Sequence, residues 1–371
     1  MKVIHIVLGK LNTNRQNGVN KVVHDLATQL VLNNVDMEVW GISKNQNHDY
    51  PERCYTTHLF KAHNNPFKID SLLNDALCKL EKDTTIHLHG GWIPLNYSLS
   101  RMLQKLNIKY ILTPHGSYNT YAMKRSNWRK KIYYYLFEQF VTEHAKTVHC
   151  IGQSETAGLL SLSKIAKPAL FPYGFEKNNN IQKQNQENKL SEIIIGFCGR
   201  LDMHTKGLDV LFNAFKLYQD KNINAKLWLI GSGQDEIVLK ALSTTLNLNQ
   251  NVIFFGGKYG REKFELLSKC SYFIHPSRNE GLPSAVLEAA SIGLPLLVSE
   301  ATNTSNYVQK YNAGIAIKNL NCNELAIAMF QMETKIKNHP ILISENAKRM
   351  VEVEFNWKDL ISKYQEMYFN E

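Results

Sequence analysis

Residues 278–295 read RNEGLPSAVLEAASIGLP: Glu280 stands just ahead of a Gly-Leu-Pro turn, and Glu288 follows within a run of small apolar side chains. The preceding SYFIHPS has the composition of a buried strand. Pro283 suits the first turn of a helix, and Gly293 before Leu294-Pro295 suits its stop. Glu280 is then a loop residue, and Glu288 lies on the helix about 7–8 Å beyond Pro283 at 1.5 Å per residue. With Ala285, Val286, Leu287, Ala289 and Ala290 around it, Glu288 shares a helix expected to pack closely on a sheet. A carboxylate without partners there is costly, and a ligand bearing paired hydroxyl groups would satisfy it. Taken singly, Glu280 could instead favour a helix N-terminus through the dipole, and Glu288 could be a surface residue.

On both sides of this stretch, short β-rich runs alternate with helical ones. In the second half these are IIIGFCG, KLWLIGSG, NVIFFGG, SYFIHPS and LPLLVSE; in the first half, VIHIVLG, MEVWGIS, TTIHLHG, KYILTPHG and KTVHCIG, with the amphipathic VNKVVHDLATQLVLN after the first run. Such alternation implies parallel sheets covered by helices on both faces. Between the halves, residues 177–190 (KNNNIQKQNQENKL) are polar and nearly free of apolar anchors, as in an exposed linker. A chain of 371 residues also exceeds what one hydrophobic core usually holds. The expected class is α/β, with two doubly wound Rossmann-like domains facing across a cleft. The expected boundaries are 1–175, a linker at 176–191, 192–350, and a closing helix at 351–371. In that helix Trp357, Leu360, Ile361, Tyr364, Met367 and Tyr368 share one face and need a partner surface.

A hydrophobic content of 44% with 20% charged residues is that of a globular chain, and the net charge of +10 favours anionic partners. The cations are dispersed and no zinc-finger, RRM or dsRBD signature is present, so no nucleic acid is expected. Six cysteines without a C-x-x-C pair fit reduced thiols in the cytosol. The opening MKVIHIVLG is short, interrupted by His5 and without a small-residue cleavage site; it reads as a strand rather than a signal peptide. No apolar run approaches the roughly 20 residues of a membrane-spanning helix.

Doubly wound sheets bind ligands at the carboxyl ends of their strands. In GFCGRLDMHTKGLDVLFNAF a strand ends at Gly199, Arg200 and Lys206 follow on a loop, and a helix opens near Gly207. Unpaired helix N–H groups, the helix dipole and two cations together make an anion site. The stretch is neither a Walker motif nor G-x-G-x-x-G. Alone, Arg200 and Lys206 read equally well as solvated loop cations.

Glu280-Gly281-Leu282-Pro283 through Glu288 resembles the E-x7-E pattern of retaining nucleotide-sugar glycosyltransferases of family 4, which have the two-domain GT-B fold. Gly199-Arg200-Leu201, Lys206-Gly207, Pro114-His115-Gly116 and a Gly18-Val19 turn follow the same family in order and interval. The resemblance covers the whole chain and implies that the closing helix crosses back to pack on the first domain. It further implies that Glu288 binds ribose hydroxyls, that Arg200 and Lys206 clamp a pyrophosphate, and that Glu280 holds hydroxyls of the donor sugar, helped by backbone N–H groups of Gly281, Leu282 and Ser284. His115 is implied to sit by the reacting face of the sugar, and Gly18 to let its loop approach closely. Lys258 and Tyr259 are further candidates beside the nucleotide. The gap from Arg200 to Lys206 is one residue longer than the commonest spacing in the family.

Cleaving a sugar–phosphate bond builds negative charge on the departing diphosphate, so fixed cations and helix N-termini favour the transition state. Arg200 and Lys206 would then do what a metal does elsewhere. No D-x-D pair stands beside a strand end, so neither metal nor other cofactor is expected. By resemblance the expected activity is transfer of a sugar from a nucleotide diphosphate to a glycan or lipid-linked glycan in cell-surface polysaccharide assembly. Alternatives are a nucleotide-sugar epimerase or hydrolase of the same fold, and a non-catalytic sugar-binding subunit. A metal hydrolase on His87, His89 and His115 can also be drawn, because residues two apart on a strand share a face, but no acid accompanies them at a recognisable spacing.

Residues 123–141, MKRSNWRKKIYYYLFEQFV, combine cations with a stripe of Trp128, Ile132, Tyr135, Leu136 and Phe140. Either the stripe packs on the first sheet, or it meets an acidic membrane surface and brings a cytoplasmic, peripheral enzyme to a lipid-linked acceptor.

Overall fold

The apolar runs of the first half become strands β1 (Val3–Leu8), β2 (Met37–Ser43), β4 (Thr85–His89), β5 (Lys109–Thr113) and β6 (Thr147–Cys150), joined at the margins by β3 (Thr56–Lys61) and β7 (Pro168–Leu170). This computed structural model describes residues 1–12, 18–124, 127–176, 192–221 and 224–370; of the expected linker at 176–191, all but Glu176 lies outside them. The chain divides into two units, Met1–Glu176 with Asn356–Glu371, and Lys177–Phe355.

Among the described residues, the sheet of the first unit is all parallel in the order β3-β2-β1-β4-β5-β6-β7. Along β1 the side chains alternate between two cores: Ile4 and Ile6 join Trp40, Leu88 and Leu99 on one face, while Val3 and Val7 join Leu26, Leu30 and the closing helix on the other. His5 shares the parity of Val3 and Val7, and its register partner on β4 is His87.

The second unit repeats the plan with β8 (Ile193–Cys198), β9 (Ala225–Ile230), β10 (Val252–Gly256), β11 (Tyr272–His275), β12 (Leu296–Ser299) and β13 (Gly314–Ile317), parallel in the order β10-β9-β8-β11-β12-β13. In both sheets the strand order reverses beside the first strand, between β1 and β4 and between β8 and β11. Loops leave these strands toward opposite sides there and open a crevice at the carboxyl ends.

The closing helix, Trp357–Phe369, starts at an Asn356 cap whose side chain accepts the Lys358 N–H at 2.9 Å. All six residues of its expected stripe are buried on the β1 side of the first sheet. Its start differs from the expected boundary at 351: residues 351–354 finish the preceding helix, Pro340–Glu354, which belongs to the second unit. Lys146 donates to the Tyr368 carbonyl at 3.1 Å, satisfying an acceptor of the final turn.

Of the two readings of the 128–140 stripe, packing on the sheet does not hold for its first four residues. The helix Asn127–Tyr133 passes through a π turn at Tyr134–Glu138 into Gln139–Glu143, and the buried face is Tyr134, Glu138, Val141 and Thr142. Trp128, Ile132, Tyr135 and Leu136 are exposed. The buried face carries Glu138 and Thr142 beside Tyr134 and Val141, so periodicity does not mark it as the face the sheet takes.

The π turn carries Glu138 into the core, where the Trp92 N–H donates to its Oε1 at 2.7 Å and the Tyr118 hydroxyl donates to the same oxygen. Burial raises its carboxyl from 4.5 to about 7 against the pull of those two donors. Glu155, equally buried, is raised to about 7 for the same first reason. The folded chain therefore keeps protons that the unfolded chain has released, and the stability this brings is present below pH 4.5 and lost as pH rises to about 7. Glu138→Gln keeps an oxygen for both donors and removes one of the two titrations. The buried neutral histidines stabilise both proteins as pH rises, so the readout is the difference between them: in urea unfolding at about pH 5 and about pH 8 the variant should gain stability relative to the parent across that interval. An unchanged pH dependence would refute the protonated carboxyl.

Candidate active site

The second unit brings Glu280, Lys206 and Arg200 to the carboxyl ends of β8 and β11. After β8 the chain turns at Gly199, and the loop that follows is held by its own polar groups. The Leu201 N–H donates to the Ser232 carbonyl at 3.0 Å, Met203 N–H to Asp235 Oδ2 at 2.7 Å, and Thr205 N–H to Asp202 Oδ1 at 2.9 Å. Gly207 then enters the helix Leu208–Gln219 with φ of 65°, and a Cβ there would lie 2.1 Å from the Pro276 carbonyl oxygen. Only glycine brings the loop this close to the end of β11.

The loop after β11 is fastened to the same helix. Arg278 makes a bidentate pair with Asp209, 2.7 Å on each side, and donates to the His204 carbonyl at 2.8 Å. Burial alone would raise the Asp209 carboxyl, but the Arg278 hydrogen bonds and charge hold it below the usual range. Between these fastenings the Lys206 ammonium bonds directly to Glu280 Oε1. His275, fully buried, lies with Nε2 3.2 Å from that oxygen; a carboxylate only accepts, so Nε2 carries the proton. Burial, and then Lys206, keep this imidazole neutral. Burial followed by the nearby Arg200 pulls the Lys206 ammonium down to about 8, with Asp202 and Cys198 opposing. Arg200 itself is 65% exposed and 3.5 Å from Asp202, so its guanidinium is the mobile cation and Lys206 the fixed one.

Pro283 precedes the helix Ser284–Ser291, as expected, and Glu288 is buried on it. Its partner is Lys263 of the helix Gly260–Ser268, Nζ to Oε2 2.8 Å, with both side chains largely out of water. Lys258, a candidate for facing the nucleotide, pairs with Glu262 one turn on, at 3.2 Å. The signal for Lys263 was available in the requirement that a buried carboxylate find a cation. Asn303 supports the same loop by donating to the carbonyls of Glu280 and Gly281. Leu282 is buried, and Gly281 and Ser284 flank the start of the helix.

In the first unit, His115 follows β5 with φ of 55°, a left-handed backbone uncommon outside glycine, and Gly116 follows at 84°. Gly9 and Leu11 after β1, and Gly90 and Trp92 after β4, also have positive φ. Strained backbone thus gathers at the carboxyl ends of the strands flanking the switch point, where functional loops are found. The Glu155 carboxyl group accepts the Gly116 N–H on one oxygen and the Ile151 N–H on the other, fixing the turn that carries His115. Gly18 opens the helix Gly18–Leu32, and a Cβ there would meet no described atom within 4 Å. Among the described residues one trio has the geometry to hold a cation: His5, His87 and His89, not the His87–His89–His115 set drawn from the sequence.

Residues 16–171 match the family model Glycosyltransferase Family 4, and residues 178–350 match Glycosyl transferases group 1. A similar protein is the capsular polysaccharide biosynthesis glycosyltransferase CapM of Staphylococcus aureus, 24% identical over 249 residues, which are 62% of this chain and 64% of CapM. Similar folds include sucrose-phosphate synthase from Thermosynechococcus elongatus (TM-score 0.78, 19% identity, 99% of this chain and 98% of that one) and Anabaena HepE in complex with UDP-glucose (TM-score 0.72, 14% identity, 99% and 98%). The fold is that of the GT-B glycosyltransferases, and each half of the chain matches a glycosyltransferase family model.

Lys263→Met should lower stability by on the order of 3 kcal/mol, because it removes the ammonium facing a buried carboxylate. The double variant Lys263→Met/Glu288→Gln should recover most of that loss in urea unfolding. A single variant as stable as the parent would show that the pair does not carry the Glu288 charge.

Proposed function

We propose that this chain is a retaining, metal-independent glycosyltransferase that moves a sugar from a nucleoside diphosphate onto a glycan or lipid-linked glycan. The observation that carries this reading is the Lys206–Glu280–His275 cluster at the β8/β11 switch point, beside a second buried pair, Lys263–Glu288, on the next helices. One cation and one acid in each pair, the first on the loops at the strand ends and the second on the two helices, match a ligand that alternates phosphate and hydroxyl groups.

In this reading Glu288 accepts the ribose hydroxyls, while Arg200 and Lys206 take the diphosphate. Donor binding draws Lys206 toward the phosphate and frees a Glu280 oxygen for sugar hydroxyls, with His275 still donating to the carboxylate. As the anomeric bond breaks, charge grows on the diphosphate next to cations that are already in place, which lowers the barrier more than it strengthens ground-state binding. The leaving phosphate takes the acceptor proton on the same face, so retention needs no separate base. HepE is a structure with bound UDP-glucose and CapM is a capsular polysaccharide enzyme; both support a nucleotide sugar donor and a role in surface polysaccharide assembly here.

Glu280→Ala should lower kcat by roughly 10²–10³-fold while leaving nucleotide affinity within about threefold. Glu288→Ala should weaken nucleotide binding by roughly 10-fold or more, the worth of a charged hydrogen bond. Equal effects on nucleotide affinity would overturn this division of labour. Thermal shift against UDP, GDP, ADP and CDP selects the base, since a bound ligand raises Tm by mass action. Product analysis with the selected donor separates the classes: transfer needs acceptor, epimerisation does not, and a binding subunit turns nothing over.

The exposed Trp128, Ile132, Tyr135 and Leu136, with exposed Arg129 and Lys131 beside them, favour a peripheral contact with an anionic membrane surface on the cytoplasmic side. Among the described residues no helix is long and apolar enough to cross a membrane. Cosedimentation should be stronger with anionic than with neutral liposomes and should fall as salt rises; Trp128→Ser/Leu136→Ser should abolish it. Equal partitioning to both liposome types would exclude the contact.

A further inference from the structure

Behind His115 the first unit holds a continuous line of imidazoles. His149 Nε2 lies 3.0 Å from the Phe171 carbonyl oxygen, and a carbonyl only accepts, so this nitrogen carries the proton. In a neutral ring Nδ1 of His149 is then an acceptor, and Thr113 Oγ1, 3.0 Å away, must donate to it. The Thr113 oxygen is left to accept from His87 Nε2 at 2.6 Å. The Nδ1 of His87 therefore accepts from the Tyr368 hydroxyl at 2.8 Å, and the Tyr368 oxygen accepts from His5 Nε2 at 3.2 Å. His5 Nδ1 accepts from His89 Nε2 at 3.0 Å, and His89 Nδ1 accepts from His115 Nε2 at 2.9 Å.

Each step follows from the one before, because every neutral imidazole has one donor and one acceptor nitrogen. Burial supplies the neutrality: it pulls His5 and His115 down to about 3 and His149 to about 4, and holds His87 and His89 well below the ordinary value. The line ends at His115 Nδ1, for which no described residue is a partner.

We propose that the Phe171 carbonyl, acting through Tyr368 of the closing helix and the intervening rings, fixes His115 as the Nε2–H tautomer and so presents its Nδ1 lone pair to a ligand. His115 is then a hydrogen-bond acceptor for a ligand hydroxyl at that nitrogen, not a donor to an oxyanion. Tyr368 and Thr113 are positioning residues, and their hydroxyls set the direction of the line. The His5–His87–His89 trio is part of this line, and all six of its ring nitrogens are used in it; a cation there would have to break bonds that already satisfy them. The tautomer stands independently of the transferase reading; only the identity of the hydroxyl facing His115 rests on it.

The test is a long-range proton–nitrogen correlation spectrum of the full chain labelled with ¹⁵N-histidine at about pH 7, the five rings assigned by single His→Asn replacements. All five should be neutral Nε2–H tautomers. One Nδ1–H tautomer or one imidazolium among them overturns the proposal, as does stoichiometric zinc in protein purified without chelator. Tyr368→Phe keeps the packed ring but removes the hydroxyl that passes direction. His149 should stay Nε2–H in this variant, while His5, His89 and His115 become tautomer mixtures. With a nucleotide sugar and acceptor, kcat should fall about 10-fold or more with KM little changed, the behaviour of a catalytic ring in the wrong tautomer. A His115 that stays wholly Nε2–H in Tyr368→Phe sinks the relay even if activity drops. Failure to turn over any donor, with the spectra as expected, would count against the transferase reading alone.

Discussion

The bond between Lys206 and Glu280 ties together the two loops that leave the sheet of the second unit at its switch point. Each loop is already pinned to its surroundings, the first by Asp202, Ser232 and Asp235, the second by Arg278 on Asp209 and by Asn303. The ammonium and the carboxylate are therefore held in place by backbone they do not share. Burial makes both charges expensive in isolation, and each is the other's compensation until something more anionic arrives. Under the proposed function that arrangement suits a phosphate site, because the cation is already held by the fold before the ligand binds. Arg200, exposed and only loosely associated with Asp202, supplies the adjustable part.

The first unit solves a different problem with the same topology. Its switch point lies between β1 and β4, and the two strands place His5 and His87 side by side in register, with His89 one pleat further on. Imidazole rings stacked at 4.2 to 5.0 Å fill the space as aromatics do, while their nitrogens satisfy one another in a region closed to water. Nothing in this cluster needs a charge. The same economy explains why Glu138 and Glu155, also in this unit, hold their protons to about pH 7: the interior pairs dipoles and excludes ions.

How much of this was legible in the sequence depended on how each residue is buried. Ten strands were readable because they are central or strongly apolar, whereas β3, β7 and β13 escaped notice. All three are edge strands, half-covered and mixed in composition, so neither a continuous apolar run nor a strict alternation marks them. The stripe from Trp128 to Leu136 was seen, but its side was not, since a π turn and a buried face that includes Glu138 and Thr142 are invisible to an apolar period of 3.6. In the site, Glu280, Glu288, Arg200 and Lys206 stood out because each breaks a local pattern. Their partners did not: Lys263 and His275 sit where an ordinary helix cation and a strand histidine would, and only the fold brings them to the acids.

Tyr368 shows the limit of local reading most clearly. It was assigned to an apolar stripe, correctly, yet its hydroxyl also bridges His5 to His87 by hydrogen bonds, His87 lying 281 positions before it in the chain. Until the helix Trp357–Phe369 docks, those two rings each lack a bond and the Thr85 hydroxyl and Lys146 ammonium lack the Tyr368 carbonyl. The polar interior of the first unit is thus completed by a segment made after the whole of the second. Contacts of such sequence separation form late, because loop closure must precede any return from them. The first sheet can therefore collapse early on its apolar faces, but the ordered state of its histidines, and with it the presentation of His115, waits on the return of that helix.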